Sequence, residues 1–97
     1  MSHPRDLYQL WAEWEFGIEG RKPAKQFSYK ERGRVRYKFH RRKLVWDKIE
    51  EMIRSGHTYH TAIDELYRIY GQQKSVTDII NAMRKDRMRS RAPPLNN

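Results

Sequence analysis

The side chains best suited to chemistry lie in one basic segment, residues 32–43, which reads "RGRVRYKFHRRK". It holds seven Lys or Arg side chains in twelve positions and no acidic residue. Lys and Arg bind phosphate, and an Arg can also hold guanine through two hydrogen bonds. Val35, Tyr37 and Phe39 interrupt the charges, which indicates a segment that folds rather than a charged tail. The segment therefore predicts binding to a polyanion.

The charge of the whole chain is concentrated in the same region. The 97 residues have a formal net charge of +9, of which residues 29–48 contribute +7 and residues 71–97 contribute +4. Residues 1–28 are neutral and residues 49–70 have a net charge of −2. Such a focus is typical of nucleic-acid binding. From charge alone, a solvated face with a basic targeting run and an anionic membrane surface stay open as alternatives.

The residues give little support for metal binding, catalysis or membrane insertion. His57 and His60 stand three apart, but the chain has no Cys, and a structural zinc needs about four ligands. There is no Walker-type phosphate loop and no context that suggests an activated nucleophile. No apolar run has the length of a membrane span or a signal peptide. We expect no enzyme activity, no cofactor or metal, no small-molecule ligand and no membrane contact.

The elements that must position the basic segment are predicted to be helices. We expect an all-α fold, a compact bundle of four to five short helices with a basic central segment and a disordered C-terminal tail. The helical domain should span residues 4–88 and the tail residues 89–97, where Pro93 and Pro94 stand. Apolar spacing and stop residues predict helices over residues 4–16, 36–55 and 59–70. A further short helix is expected from Pro23 to about Glu31, ended by Gly33, and another from Ser75 until the pattern fades at Arg84.

The longest predicted helix contains a conflict. Val45, Trp46 and Ile49 share an apolar face, and Arg42 falls almost at the centre of that stripe. A buried, unpaired Arg is costly. We therefore expect the first turns of this helix to protrude from the bundle, or to lie where the core opens onto a polyanion. Trp11 and Trp14, one turn apart in the first helix, are expected to be core rather than a stacking platform for bases.

The order of motifs resembles a known family. An aromatic opening, "DLYQLWAEWEFGIEG", precedes "RKPAKQF", then "YKFHRRKLVWDKIEEMI" and "YHTAIDELYRIY". This order, over about residues 6–83, is similar to the C-terminal DNA-binding domain of the fungal activators of glycolytic genes, a family shared with yeast osmotic-stress and invasive-growth transcription factors. The matching positions are Trp11, Trp14, Gly17 and Gly20, then Phe39, Arg41, Arg42 and Lys43, then Ile49 and Ile53. The family's Trp-Arg pair ahead of the basic helix is replaced here by Gly33-Arg34 and Val35-Arg36.

The resemblance implies sequence-specific binding of double-stranded DNA by a transcription regulator in the nucleus. The residues expected to face the duplex are Lys30, Arg32, Arg34, Arg36, Tyr37, Lys38, His40, Arg41, Arg42 and Lys43. Among them, phosphate contacts are expected from Arg34, Arg36, Lys38 and Lys43. Base contacts in the major groove are expected from Arg41 and Arg42, with Tyr37 and His40 adding a hydrogen bond or a thymine-methyl contact.

Three questions stay open from the sequence. The cluster of Arg84, Lys85, Arg87, Arg89 and Arg91 either clamps the DNA backbone or is a solvated helix end. An RNA-binding module is an alternative function, as is a basic module that binds acidic proteins. Protein partners could also act through a larger parent chain.

Overall fold

A computed structural model describes residues 3–91, and the side chains of residues 3–88. Over residues 3–91 the chain is all-helical and has no strand, as predicted. The elements are α1 (Leu7–Glu15), a 3-10 turn (Ala24–Gln26), α2 (Tyr29–Arg34), α3 (Arg36–Arg54), α4 (Tyr59–Tyr70) and α5 (Val76–Arg91). None of the helices in this range is both long and apolar enough to cross a membrane.

The longest helix, α3, is the centre of the bundle and contacts α1, α2, α4 and α5. Trp46 of α3 is completely buried, and its indole Nε1 donates to the Leu10 carbonyl of α1 at 2.8 Å. The Trp14 ring stacks on Trp46 with centroids 4.8 Å apart, and Phe39 meets Trp46 edge-on at 5.4 Å. Trp14 Nε1 donates to Glu50 at 2.9 Å. The prediction that Trp11 and Trp14 are core is confirmed, since both are buried.

Helix α1 is shorter than the predicted range of 4–16. It begins at Leu7 because the Asp6 carboxylate accepts a hydrogen bond from the Gln9 backbone N–H at 2.8 Å, which caps the first turn. After the helix, Gly17 has a φ of +77°, and a Cβ there would lie 2.0 Å from the Arg21 carbonyl oxygen. The chain can therefore turn back at this position only with glycine.

The prediction of one helix from Pro23 to Glu31 is wrong. Residues 24–26 form a 3-10 turn, and α2 starts afresh after Ser28. Ser28 and Glu31 form a capping box, in which each side chain bonds the other residue's backbone N–H, so a new helix begins there. Gly33 does not end α2, which continues to Arg34, and Val35 alone separates α2 from α3.

The last two helices complete the core. Helix α4 has the predicted range, with Thr58 as its cap and Gly71 after its end. Ser75 Oγ accepts from the Asp78 backbone N–H at 3.0 Å, as the sequence suggests, but α5 runs on past Arg84 to Arg91. Its burial ends at Met83, whereas the following Arg, Lys and Met residues are strong helix formers. Of the predicted tail, residues 89–91 continue α5, and residues 92–97 lie outside the described residues.

Candidate nucleic-acid interface

The first half of α3 lies between α2 and α5, with a groove on each side. We name these the α2–α3 groove, of about 350 Å³, and the α3–α5 groove, of about 480 Å³. Arg36 and His40 line both grooves, so they form the ridge between them. The α2–α3 groove is otherwise lined by Tyr29, Arg32, Gly33, Phe39 and Lys43. The α3–α5 groove is otherwise lined by Tyr37, Arg41, Leu44, Arg84, Arg87 and Met88.

Helical periodicity explains how one stretch supplies both a core and a surface. Phe39, Arg42 and Val45 point into the bundle at a spacing of three. Arg36 and His40, four residues apart, lie on the opposite side of the same turns. Two residues of the C-terminal basic cluster, Arg84 and Arg87, line the α3–α5 groove from the side of α5. Lys85 is exposed but is not among the lining residues.

The surface carries many cations that no acidic side chain neutralises. Within the described part of the chain, seven exposed basic residues on α2, α3 and α5 make no ion pair: Lys30, Arg34, Arg36, Lys38, Arg84, Lys85 and Arg87. Glu31, next to Lys30, is engaged by Lys22 and by the Ser28 backbone N–H, and Asp86, between Lys85 and Arg87, accepts from the Tyr70 hydroxyl. The hydrogen bonds to Glu31, that from Lys22 first, lower the pKa of its carboxyl to about 2. Glu31 is therefore ionised at neutral pH but is balanced by Lys22, so the seven unpaired cations keep this surface positive.

Two of the residues predicted to face the duplex, Arg32 and Lys43, already contact other groups of the protein. Arg32 donates its Nε–H to the Phe27 carbonyl at 3.2 Å, and its guanidinium lies 4.9 Å from the Phe39 ring centre. Lys43 pairs with Asp47 at 2.7 Å. Both still line the α2–α3 groove, but they carry less free charge into it than the ridge residue Arg36 does.

Arg41 and Tyr37 form a unit on the α5 side of the ridge. Arg41 Nη2 donates to Asn81 Oδ1 of α5 at 2.9 Å. The Arg41 guanidinium carbon lies 5.6 Å from the centre of the Tyr37 ring, a cation–π distance. Tyr37 itself is 73% exposed.

Arg42 lies inside the bundle, whereas the sequence predicted that it faces DNA. Its side chain is buried, 7% exposed, and Nη1 donates to both carboxylate oxygens of Glu13 at 2.8 Å. The core does not open at this point; instead α1 supplies an acidic partner that is itself 6% exposed. Arg42 therefore joins α1 to α3, and we do not include it among the base contacts proposed below.

Sequence reasoning missed several residues of the site. Leu44 and Met88 add apolar surface to the α3–α5 groove, and Asn81 orients Arg41. The spacing of Arg84, Arg87 and Met88 on one helical side was a usable signal for a longer α5. Nothing in the local sequence singles out Asn81, because its role depends on how α5 packs against α3.

The histidines show no sign of a metal centre in the described residues. No group of three or more His, Cys, Asp or Glu residues within the described part of the chain could hold a metal ion. His57 Nδ1 is within 3.1 Å of Thr61 Oγ1, and the His60 ring lies 4.1 Å from the ring of Tyr59. Both histidines thus take part in local contacts at the start of α4.

Comparison with known proteins gives one match. A family model described as "Transcriptional activator of glycolytic enzymes" matches residues 1–84. No curated protein and no solved structure matches the chain. The matched range contains α1 to α4, the α3 ridge and the first part of α5 as far as Arg84. The further relation to osmotic-stress and invasive-growth factors stays a prediction.

Proposed function

The chain belongs to the family of transcriptional activators of glycolytic enzymes, and on this basis we propose that it is a sequence-specific, double-stranded DNA-binding domain of a transcription regulator that acts in the nucleus. The observation that carries the proposal is the ridge of Arg36 and His40 between two grooves, together with cations that make no ion pair within the described residues. Net charge alone favours any polyanion. A single helix flanked by two basic grooves adds a shape that suits a duplex.

The dimensions of α3 fit the major groove of B-form DNA. An α-helix with its side chains is about 10–12 Å across, and the major groove is about 12 Å wide. In the proposed complex the first half of α3 enters this groove. Arg36, Tyr37 and His40 then face the base edges, with Arg41 beside them toward α5.

The flanking helices are in position to contact the two phosphate backbones. On one side α2 presents Lys30 and Arg34, and on the other α5 presents Arg84 and Arg87. Such phosphate contacts orient a protein on DNA, whereas base contacts give it specificity. Lys38, at the start of α3, adds a further free cation.

Shape also argues against RNA as the main ligand. The major groove of A-form RNA is deep and narrow, and side chains on a helix cannot read it. A helical ridge is therefore better suited to B-form DNA than to duplex RNA. An acidic protein partner would use the same cations but would give no discrimination among duplex sequences.

Competition binding tests the proposal. A duplex selected from a random library by the chain is labelled and competed with a scrambled duplex, with an RNA duplex of the same sequence and with heparin. We expect the scrambled DNA and the RNA to compete much more weakly than the unlabelled selected duplex. Equal competition by all of them at physiological salt would show general polyanion binding and contradict the proposal.

A matched pair of variants tests the location of the interface. Arg36→Ala should weaken binding to the selected duplex several-fold, because it removes a free cation from the ridge. Arg54→Ala removes the same charge from the same helix but about 27 Å away, at 1.5 Å per residue, and should have little effect. If the two variants lost affinity equally, the interface would not lie at the ridge.

A further inference from the structure

The Arg41 guanidinium is restrained from two directions, unlike the other arginines of the α3–α5 groove, Arg36, Arg84 and Arg87. The Tyr37 ring, one turn earlier on α3, has its centre 5.6 Å from the guanidinium carbon, and Asn81 of α5 accepts a hydrogen bond from Nη2. Arg36 and Arg84 line the same groove, and neither makes an ion pair within the described residues. The restraint crosses between two helices, so it depends on the tertiary fold and not on α3 alone.

The bond to Asn81 leaves Arg41 with one pair of parallel N–H donors that can still bind a ligand. A guanidinium has five N–H donors in one plane, and within the described residues Arg41 spends one of them, in the bond to Asn81. Nη2 has two hydrogens and gives one to Asn81. One hydrogen of Nη2 belongs to the edge shared with Nη1, and the other belongs to the edge shared with Nε. Whichever hydrogen bonds Asn81, the other edge keeps both of its donors. Such an edge matches the paired acceptors O6 and N7 of guanine in the major groove.

We infer that Asn81 is a positioning residue for base recognition, which holds the Arg41 guanidinium so that it reads one guanine of the DNA site. This inference rests on the proposed function. A phosphate contact needs charge but little orientation, whereas a two-bond contact with guanine needs a fixed plane. A side chain that is already held also loses less rotamer freedom on binding. Asn81 would thus determine specificity without necessarily contacting DNA.

The test uses the duplex selected from a random library by the full chain. Each guanine in turn is replaced with 7-deazaguanine, which keeps Watson–Crick pairing but lacks the N7 acceptor. For the unmodified protein we expect about a tenfold loss of affinity at one guanine, the size typical of a lost base contact. Arg41→Ala should abolish this sensitivity, because alanine has no donor for N7.

Variants of Asn81 separate positioning from folding. Asn81→Ala should reduce the sensitivity to 7-deazaguanine while the melting temperature and the affinity for scrambled duplex stay unchanged, since Asn81 is exposed. Asn81→Asp retains an acceptor oxygen and should retain the sensitivity. Thr77→Ala is the matched control, because Thr77 lies one turn earlier on α5 and lines, with Asn81, a groove that also includes Arg41.

The outcomes distinguish the inference from the proposed function. If a preferred duplex is selected but no guanine is sensitive, or if Asn81→Ala keeps the full sensitivity, the inference is wrong and the DNA-binding function stands. If no duplex is preferred over random sequence, both fail. Sensitivity that is lost in Asn81→Ala and kept in Asn81→Asp and Thr77→Ala supports the inference.

Discussion

At the scale of single residues, the ion pair of Arg42 with Glu13 governs where the basic helix sits. Both side chains are more than nine-tenths buried, and the guanidinium bonds both carboxylate oxygens. Removing one member of such a pair leaves an uncompensated charge in the interior, whereas replacing both can be nearly neutral. The pair therefore holds α1 against α3 just below the surface that we propose for DNA.

Glu13→Ala should lower the free energy of unfolding by about 3–5 kcal/mol, because Arg42 would stay buried without its carboxylate. Chemical denaturation of the free protein measures the change. The exposed pair of Lys43 with Asp47 is the control, and Asp47→Ala should cost no more than about 1 kcal/mol. A loss below about 1 kcal/mol for Glu13→Ala would mean that Arg42 can reach solvent and is available to a ligand after all.

Tyr70 provides a prediction about pH. Burial, together with the hydrogen bond that its hydroxyl donates to Asp86 at 2.9 Å, raises the pKa of Tyr70 from 10 to about 12. Between these pH values the unfolded chain releases the Tyr70 proton and the folded chain keeps it. The free energy of unfolding should therefore be unaffected by this group below pH 10 and should fall as pH rises toward 12.

Comparing the parent protein with Tyr70→Phe isolates that contribution. The variant has no phenol to ionise, so its stability should fall less steeply over the same pH range. Absorbance titration of tyrosinate in the folded protein gives an independent measurement, since one late-titrating tyrosine should disappear in the variant. Identical stability profiles for both proteins would show that Tyr70 has an ordinary pKa.

At the scale of elements, two glycines, one inside a helix and one in a turn, have opposite roles. Gly33 lies inside α2, and a Cβ there would meet no atom within 4 Å. Gly17 follows α1 with a positive φ and with the Arg21 carbonyl in the space of its missing Cβ. Gly33 weakens α2, whereas Gly17 is required by the turn after α1.

The same substitution should thus have opposite signs at the two sites. Gly33→Ala should stabilise the domain by about 0.5–1 kcal/mol, because alanine restricts the unfolded chain and favours helix. Gly17→Ala should destabilise it by at least about 1–3 kcal/mol, from strain and the carbonyl clash. Thermal melting of both variants measures this, and destabilisation by Gly33→Ala would show that α2 needs flexibility at that position.

At the scale of the whole molecule, charge is separated along α3. The helix carries five of its seven cations within residues 36–43, whereas its three acidic residues, Asp47, Glu50 and Glu51, lie in the later turns. The helix dipole adds positive potential at the same end as the cations. Because α2 and α5 add further basic residues beside that end, the domain has one strongly positive face.

Binding to duplex DNA should consequently depend steeply on salt. Five cations assigned to phosphates, Lys30, Arg34, Lys38, Arg84 and Arg87, predict a slope of log K against log salt of roughly −4 to −5. Titrations at several salt concentrations measure this slope. Arg84→Ala should make the slope shallower by about 1, whereas Arg54→Ala should not change it. A slope of smaller magnitude than about 2 for the parent protein would mean that these charges remain solvated in the complex.

The sequence by itself determined the helical class and most helix boundaries. Stop and cap residues act locally, so Thr58 and Gly71 defined α4 without knowledge of the fold. Apolar spacing likewise identified the buried face of α3, with Trp46 and Ile49 at its centre. The order of short motifs indicated the family, which the match over residues 1–84 confirmed. The same local logic failed between Pro23 and Val35, where the capping box of Ser28 divided one expected helix into two elements.

Only the tertiary structure decided which basic residues face outward. Arg41 and Arg42 are adjacent and chemically identical, and both were assigned to base edges from the sequence. Packing places Glu13 of α1 against Arg42 and Asn81 of α5 against Arg41, partners that stand 29 and 40 residues away along the chain. A buried charge is tolerated only where the fold supplies an opposite charge, and residue spacing within one helix carries no information about that partner. The contrast between an inward and an outward arginine therefore arises from the arrangement of three helices.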